Sequence, residues 1–193
     1  GESWELADLP ASIPDGKSVI SNGPLAGKQL DEHFPLLIKF LDACDNLSVQ
    51  VHPSSEYAKA HPEVHLKSEA WVILDTTPEG LIYVGLKDGT TEEALRSALV
   101  NDHVPELLNA IHVKKGECYY LPSGTCHALG AGVLVAEVQT PSDTTFRVWD
   151  WGRTNRKMHI DQAMECIDFN AKQLQFKQPE PLLSGDFLTT HFV

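Results

Sequence analysis

Between Leu47 and His52 the chain alternates with a period of two: Leu47, Val49 and Val51 are apolar, and Ser48, Gln50 and His52 are polar. Successive side chains of a β-strand point to opposite faces. The stretch therefore predicts a strand with a hydroxyl, an amide and an imidazole along one side and apolar groups along the other. The plain interpretation of that side is a solvated sheet face. Gln and His next to each other on it are more pointed, because both bind divalent metals.

A chain of 193 residues can form one substantial domain, or one domain and part of a second. Its 42% hydrophobic content is ordinary for a globular protein. The net charge of −12 argues against nucleic acid, whose phosphates need a basic footprint, and means that an anionic ligand must be held by local cations. No run of apolar residues is long enough to predict a membrane span, and Gly1-Glu2-Ser3-Trp4-Glu5 lacks the pattern of an export signal. The four cysteines, Cys44, Cys118, Cys126 and Cys166, form no C-x-x-C pair, which favours a reducing, cytoplasmic setting.

Residues 1–30 are turn-rich and read as short strands and loops along an edge. Leu36–Leu41 reads as a buried strand, and Ser54 as the N-cap of a short helix running to about His61. Trp71–Leu74 and Leu81–Val84 read as paired strands joined by a turn at Pro78–Gly80. Thr90 and Glu93 fit a capping box for a helix, with a second helix expected near Val104–Ala110. Further strands are expected at Cys118–Leu121, Gly132–Gln139 and Thr144–Trp149, and a helix at His159–Ile167. Many short strands with a few inserted helices predict a mainly β protein, a sandwich or jelly roll. The expected division is a domain over 1–170, with helices inserted near 90–110. A linker and the first strand of a further β-domain, truncated or lying outside these residues, then follow over 171–193.

Two more candidate ligands accompany Gln50 and His52. Glu69 precedes the Trp71 strand, and His127 follows the turn Pro122-Ser123-Gly124-Thr125. Two imidazoles and a carboxylate form a known catalytic zinc set with an open position. The bland readings are a surface ion pair of Glu69 with Lys67 or Lys87, and a satisfied core histidine at His127. His61 and His65 read as a solvated helix end, and His33, His103, His112, His159 and His191 as structural or surface residues. Cys126 points away from His127 in an extended segment and is not counted as a ligand.

Four ordered blocks, PLLIKFLDACDNLSVQVHPSSEYAKAH, KSEAW, YYLPSGTCHALG and AEVQTPSDTTFRVWDWGR, resemble type I mannose-6-phosphate isomerases in order and approximate spacing. The resemblance runs from about Gly1 to Ile167. It implies a cupin-type jelly-roll barrel with one zinc ion per chain, held by Gln50, His52, Glu69 and His127. It implies interconversion of mannose 6-phosphate and fructose 6-phosphate, so the partner is a small sugar phosphate and the protein a monomer or weak homodimer. By similarity Arg147 falls at an active-site arginine, Ser48 and Lys67 near the substrate, and Glu137 at a pocket carboxylate. Family members usually begin with a further N-terminal stretch, carry a second β-domain and have a longer connection around Arg153–Lys157.

Such an isomerase must move a proton between adjacent carbons through an enediol-type intermediate. Glu137 is the first candidate base, with a water-derived base at the metal as the alternative. Arg147 is expected to stabilise developing charge or grip the phosphate, and Lys67 and Ser48 to help hold the phosphate or the sugar hydroxyls. A buried ion pair between Glu137 and Arg147 is the structural alternative, and Asp143 reads as a turn residue. A non-catalytic metal-bound cupin that binds or senses a sugar phosphate is the competing function. An iron-dependent dioxygenase is a third, which the Gln ligand makes less apt.

Overall fold

The computed structural model describes residues 1–30 and 34–171. His33, His191 and all but Ala171 of the expected linker and second-domain strand lie outside the described residues.

The described residues build ten strands. They are β1 (Glu2–Leu6), β2 (Leu37–Ala43), β3 (Val49–Val51), β4 (Glu69–Thr76), β5 (Leu81–Leu86), β6 (Leu108–His112), β7 (Cys118–Leu121), β8 (His127–Leu129), β9 (Val133–Gln139) and β10 (Phe146–Trp149). Helices α1 (Ser55–Ala60) and α2 (Glu92–Asn101) are inserted between them, and α3 (Ile160–Cys166) follows β10. The strands form two five-stranded sheets, ordered β1-β2-β9-β4-β7 and β10-β3-β8-β5-β6, and their pairings are antiparallel. The fold is a mainly β barrel of cupin type, as expected. Among the described residues no helix is long and apolar enough to cross a membrane.

The packing follows from strand alternation. In β9, Val133, Val135, Glu137 and Gln139 are buried, whereas Leu134, Ala136 and Val138 are half-buried. The buried set points between the sheets, where Leu41, Trp71, Ile73, Ile82, Leu121, Leu129, Val133 and Val135 fill the barrel. Each such side chain contributes about 1.5–3 kcal/mol of burial. A second core covers the outer face of the other sheet. There Val49, Val51 and Val148 pack under Leu95 and Ala98 of α2 and Ala163 and Met164 of α3. The apolar side of β3 thus faces the helices, which frees its polar side for the barrel interior.

Three local expectations are corrected, and the regular alternation of a strand over Thr144–Trp149 is broken once. β4 and β5 do not pair with each other: β4 lies between β9 and β7, and β5 between β8 and β6. Their connection crosses from one sheet to the other. The cap of α2 is Thr91, whose hydroxyl accepts from the Ala94 N–H, and Thr90 is buried one residue earlier. Val104–Ala110 is not an α-helix. A single 3-10 turn over Val104–Leu107, with Pro105 in its first turn, gives way to β6. Finally, a bulge between Arg147 and Trp149 sets Trp149 opposite Val49. Trp149 therefore packs on the helix-side core and donates to Asp102, rather than sharing a face with Arg147.

Candidate metal centre and active site

Cross-strand register assembles the site from two facing rows. On one sheet Arg147 pairs with Gln50, Gln50 with His127, and His127 with Val84. On the other sheet Lys39 pairs with Glu137 and Glu137 with Trp71, with Gln139 opposite Glu69 in the next row. Residues directly opposite in an antiparallel pair share a face, so both rows line the barrel interior.

Glu69 spans the gap between the sheets. Its Oε2 lies 3.1 Å from His52 Nε2 and its Oε1 lies 3.2 Å from His127 Nε2. All three residues are buried, and their ligating atoms lie within 4.8 Å of one another. His127 is delivered by the Pro122–Thr125 turn. Gly124 there has φ of 84°, and a Cβ on it would lie 3.0 Å from the Cys166 carbonyl oxygen. Only glycine meets both demands.

Each imidazole is oriented from behind. His52 Nδ1 lies 3.2 Å from the Thr144 carbonyl oxygen, and His127 Nδ1 lies 2.8 Å from that of Thr125. A carbonyl oxygen only accepts, so in the neutral ring Nδ1 carries the proton and Nε2 turns its lone pair inward. Burial, aided by the charge of Lys67, pushes the His52 pKa down to about 3, so that ring is neutral. In the neutral tautomer each ring turns the bare Nε2 toward the carboxylate. Glu69 Oε1 and His127 Nε2 are buried with no hydrogen bond. Acceptors facing acceptors in a buried site call for a cation, and two histidines with a glutamate suit zinc. The donor set fits a divalent metal.

Gln50 is half-buried and pairs with His127 on the neighbouring strand, so the two side chains share a face. Lys67 is buried, and its Nζ lies 3.0 Å from Glu69 Oε2. Burial opposes the charges of both. Their mutual attraction wins, holding the Glu69 carboxyl well below its usual range and the Lys67 amine above its own. The Glu69 alternative of a surface ion pair is overturned, since the residue is fully buried.

Glu137 accepts from Trp71 Nε1 at 2.9 Å and lies 3.6 Å from Lys39 Nζ. Burial and the charge of Glu69 raise its pKa, against the pull of Lys67 and Lys39. Glu137 and Arg147 do not pair with each other. Arg147 donates from Nε to Ser48 Oγ at 3.2 Å and from Nη1 to the Lys157 carbonyl at 2.8 Å. Its backbone N–H donates to His159 Nδ1.

Lys39 was not among the candidates, although a signal existed. It is the single charge within the apolar run Leu36–Leu41, and lysine is rarely buried unless paired. Gln139 was missed for a different reason: nothing local distinguishes a buried amide from an exposed one. A separate cavity of about 740 Å³ is lined in part by Gly85–Gly89, Pro122–Cys126 and Ile167–Ala171, and none of the three clustered ligands lines it.

The barrel and its histidine–glutamate cluster define a cupin-type protein with a candidate metal centre. Residues 11–123 match the catalytic domain of type I phosphomannose isomerase, and the chain belongs to that family. GmuF of Bacillus subtilis (strain 168), described as a probable mannose-6-phosphate isomerase, is 41% identical over 86% of this chain and 58% of its own length. The crystal structure of the Bacillus subtilis mannose 6-phosphate isomerase superposes with a TM-score of 0.79. It is 33% identical and covers 89% of this chain and 60% of that one. A zinc-bound mannose 6-phosphate isomerase shares the fold at a TM-score of 0.55 and 19% identity, over 78% of this chain and 58% of that one. The chain thus spans less than two thirds of the length of these relatives.

Proposed function

We propose that this chain is the catalytic domain of a zinc-dependent aldose–ketose isomerase that interconverts mannose 6-phosphate and fructose 6-phosphate. The observation that carries the reading is the trio His52, Glu69 and His127 closed around a shared gap, with Lys67, Arg147 and Glu137 in the same barrel interior. Gln50 completes the proposed ligand set. A zinc ion there supplies Lewis-acid polarisation of the sugar oxygens.

The protein's own groups supply the rest. Glu137 takes the proton from one carbon and returns it to its neighbour, and the raised pKa of its carboxyl suits that exchange. Trp71 and Lys39 fix the carboxylate while it does so. Lys39, Lys67 and Arg147 set three cations against the two carboxylates Glu69 and Glu137. That local excess receives a phosphorylated sugar inside a chain of net charge −12. Arg147, held by Ser48 and the Lys157 carbonyl, presents its planar fork to oxyanion or phosphate. The same reading places the protein in the cytoplasm, on a soluble small-molecule substrate.

The test is a coupled assay of fructose 6-phosphate formation, with zinc, after chelation and after zinc is restored. Turnover that disappears with chelator and returns with zinc is expected. The Glu137→Gln variant should lose about 10²–10⁴-fold in kcat while keeping its zinc. A folded, zinc-loaded protein that binds mannose 6-phosphate without converting it overturns the isomerase in favour of a sensing cupin.

A further inference from the structure

Lys67 lies outside any strand, because β4 begins only at Glu69. No sheet ladder holds its backbone, yet its ammonium must meet Glu69 at 3.0 Å from a buried position. The main chain on either side of Lys67 finds its hydrogen-bond partners in the turn that follows β9. Thr140 Oγ1 donates to the Leu66 carbonyl at 3.2 Å and accepts from the Ser68 N–H at 3.2 Å. The Thr140 N–H donates to the Ser68 carbonyl at 3.0 Å. A single threonine thus grips the main chain on both sides of Lys67, its hydroxyl acting as donor and acceptor at once. Ser142 Oγ extends the grip by donating to the His65 carbonyl at 3.3 Å.

The turn is itself anchored. Gln139, fully buried, donates from Nε2 to the carbonyls of Thr140 at 3.0 Å and Ser142 at 2.5 Å. Two carbonyl acceptors fix the amide's orientation, which leaves Oε1 buried without a hydrogen bond. Leaving such a group unsatisfied is costly, and what it secures is the turn carrying Thr140. The same turn continues to Thr144, whose carbonyl orients His52. We infer that Thr140 is a positioning residue for Lys67, setting the lysine's ammonium from outside the barrel through the main chain of Leu66 and Ser68.

The inference rests on the proposed role of Lys67 in binding sugar phosphate, and the test separates the two. Thr140→Val keeps the shape and removes both hydroxyl hydrogen bonds, whereas Thr140→Ser keeps them. The valine variant should lose about 10-fold or more in kcat/KM, since small misplacements of a binding group are costly. The serine variant should stay near the unsubstituted protein. In a Lys67→Ala background the valine change should cost nothing further, because the two act through one group. Reductive methylation read by mass spectrometry supplies a readout that needs no turnover: Lys67 should label faster in Thr140→Val and unchanged in Thr140→Ser. Additive losses in the Lys67→Ala background, or unchanged labelling in Thr140→Val, overturn the positioning role. Absence of turnover in the unsubstituted protein overturns the isomerase reading instead, and the labelling comparison still decides the inference.

Discussion

Glu69 faces one lysine and two imidazoles from a fully buried position. A lone carboxylate there would be strongly disfavoured. Lys67 offsets its charge, and the neutral His52 ring adds none. Replacing it with glutamine separates these roles. The Glu69→Gln change keeps the shape, removes the charge, and leaves the Lys67 ammonium buried without its partner. Breaking a buried pair in this way costs on the order of 3–5 kcal/mol. Urea unfolding of metal-free Glu69→Gln should therefore show a lower midpoint at pH 7. Zinc affinity, measured by competition with a chromophoric chelator, should fall by at least about 10-fold, since even indirect supports of a metal ligand are worth that much. Unchanged zinc affinity would remove Glu69 from the ligand set.

At the scale of elements, α2 shows what a motif decides and what it does not. Thr90 and Thr91 are both followed by glutamates, and the capping-box template fits Thr90 with Glu93. In the fold the Thr90 N–H closes a turn onto the Lys87 carbonyl, and the cap passes to Thr91, 3.1 Å from the Ala94 N–H. Thr91→Ala should lower stability by about 1 kcal/mol, read as a shift in denaturation midpoint, and a larger loss at Thr90→Ala through its hydroxyl would contradict this cap. The short range of such signals explains what was legible. The period of Leu47–His52 and the turn before His127 are local, so β3 and its polar side could be read directly. Pairing is not local: Pro78–Gly80 resembles a hairpin turn, yet β4 and β5 enter different sheets. The same holds for polar burial. Lys39 and Gln139 acquire their surroundings from strands about a hundred residues away, or from a turn whose path depends on the closed barrel.

For the molecule as a whole, closure depends on the segment after β10. Asp150 is buried and accepts from Arg153 and from Arg156 Nε and Nη2. Arg153 also donates to the Asn46 carbonyl and Trp151 to the Leu47 carbonyl. Asn46 in turn accepts from the Ala131 N–H, so one carboxylate ties the chain's late segment to the turns that enter β3 and β9. The segment's far end presents the Lys157 carbonyl and His159 to Arg147, which links barrel closure to the active-site face. Burial raises the Asp150 pKa, but hydrogen bonds from Arg153 and Arg156 outweigh it and hold the carboxyl below its ordinary value. The folded value is lower than the unfolded one, so this stabilisation is fully present above the unfolded pKa of about 3.9 and is lost as pH falls through the folded value. Both arginines are about one-third exposed, at 35% and 37% of their side chains. Solvent screening therefore limits the contribution to on the order of 1–2 kcal/mol. Asp150→Asn should lower the unfolding free energy at pH 7 by that amount, read from urea denaturation, and the gap from the unsubstituted protein should narrow as pH is taken below about 4. A gap that stays constant across this range would assign the clasp's contribution to hydrogen-bond geometry alone and not to the charge of Asp150.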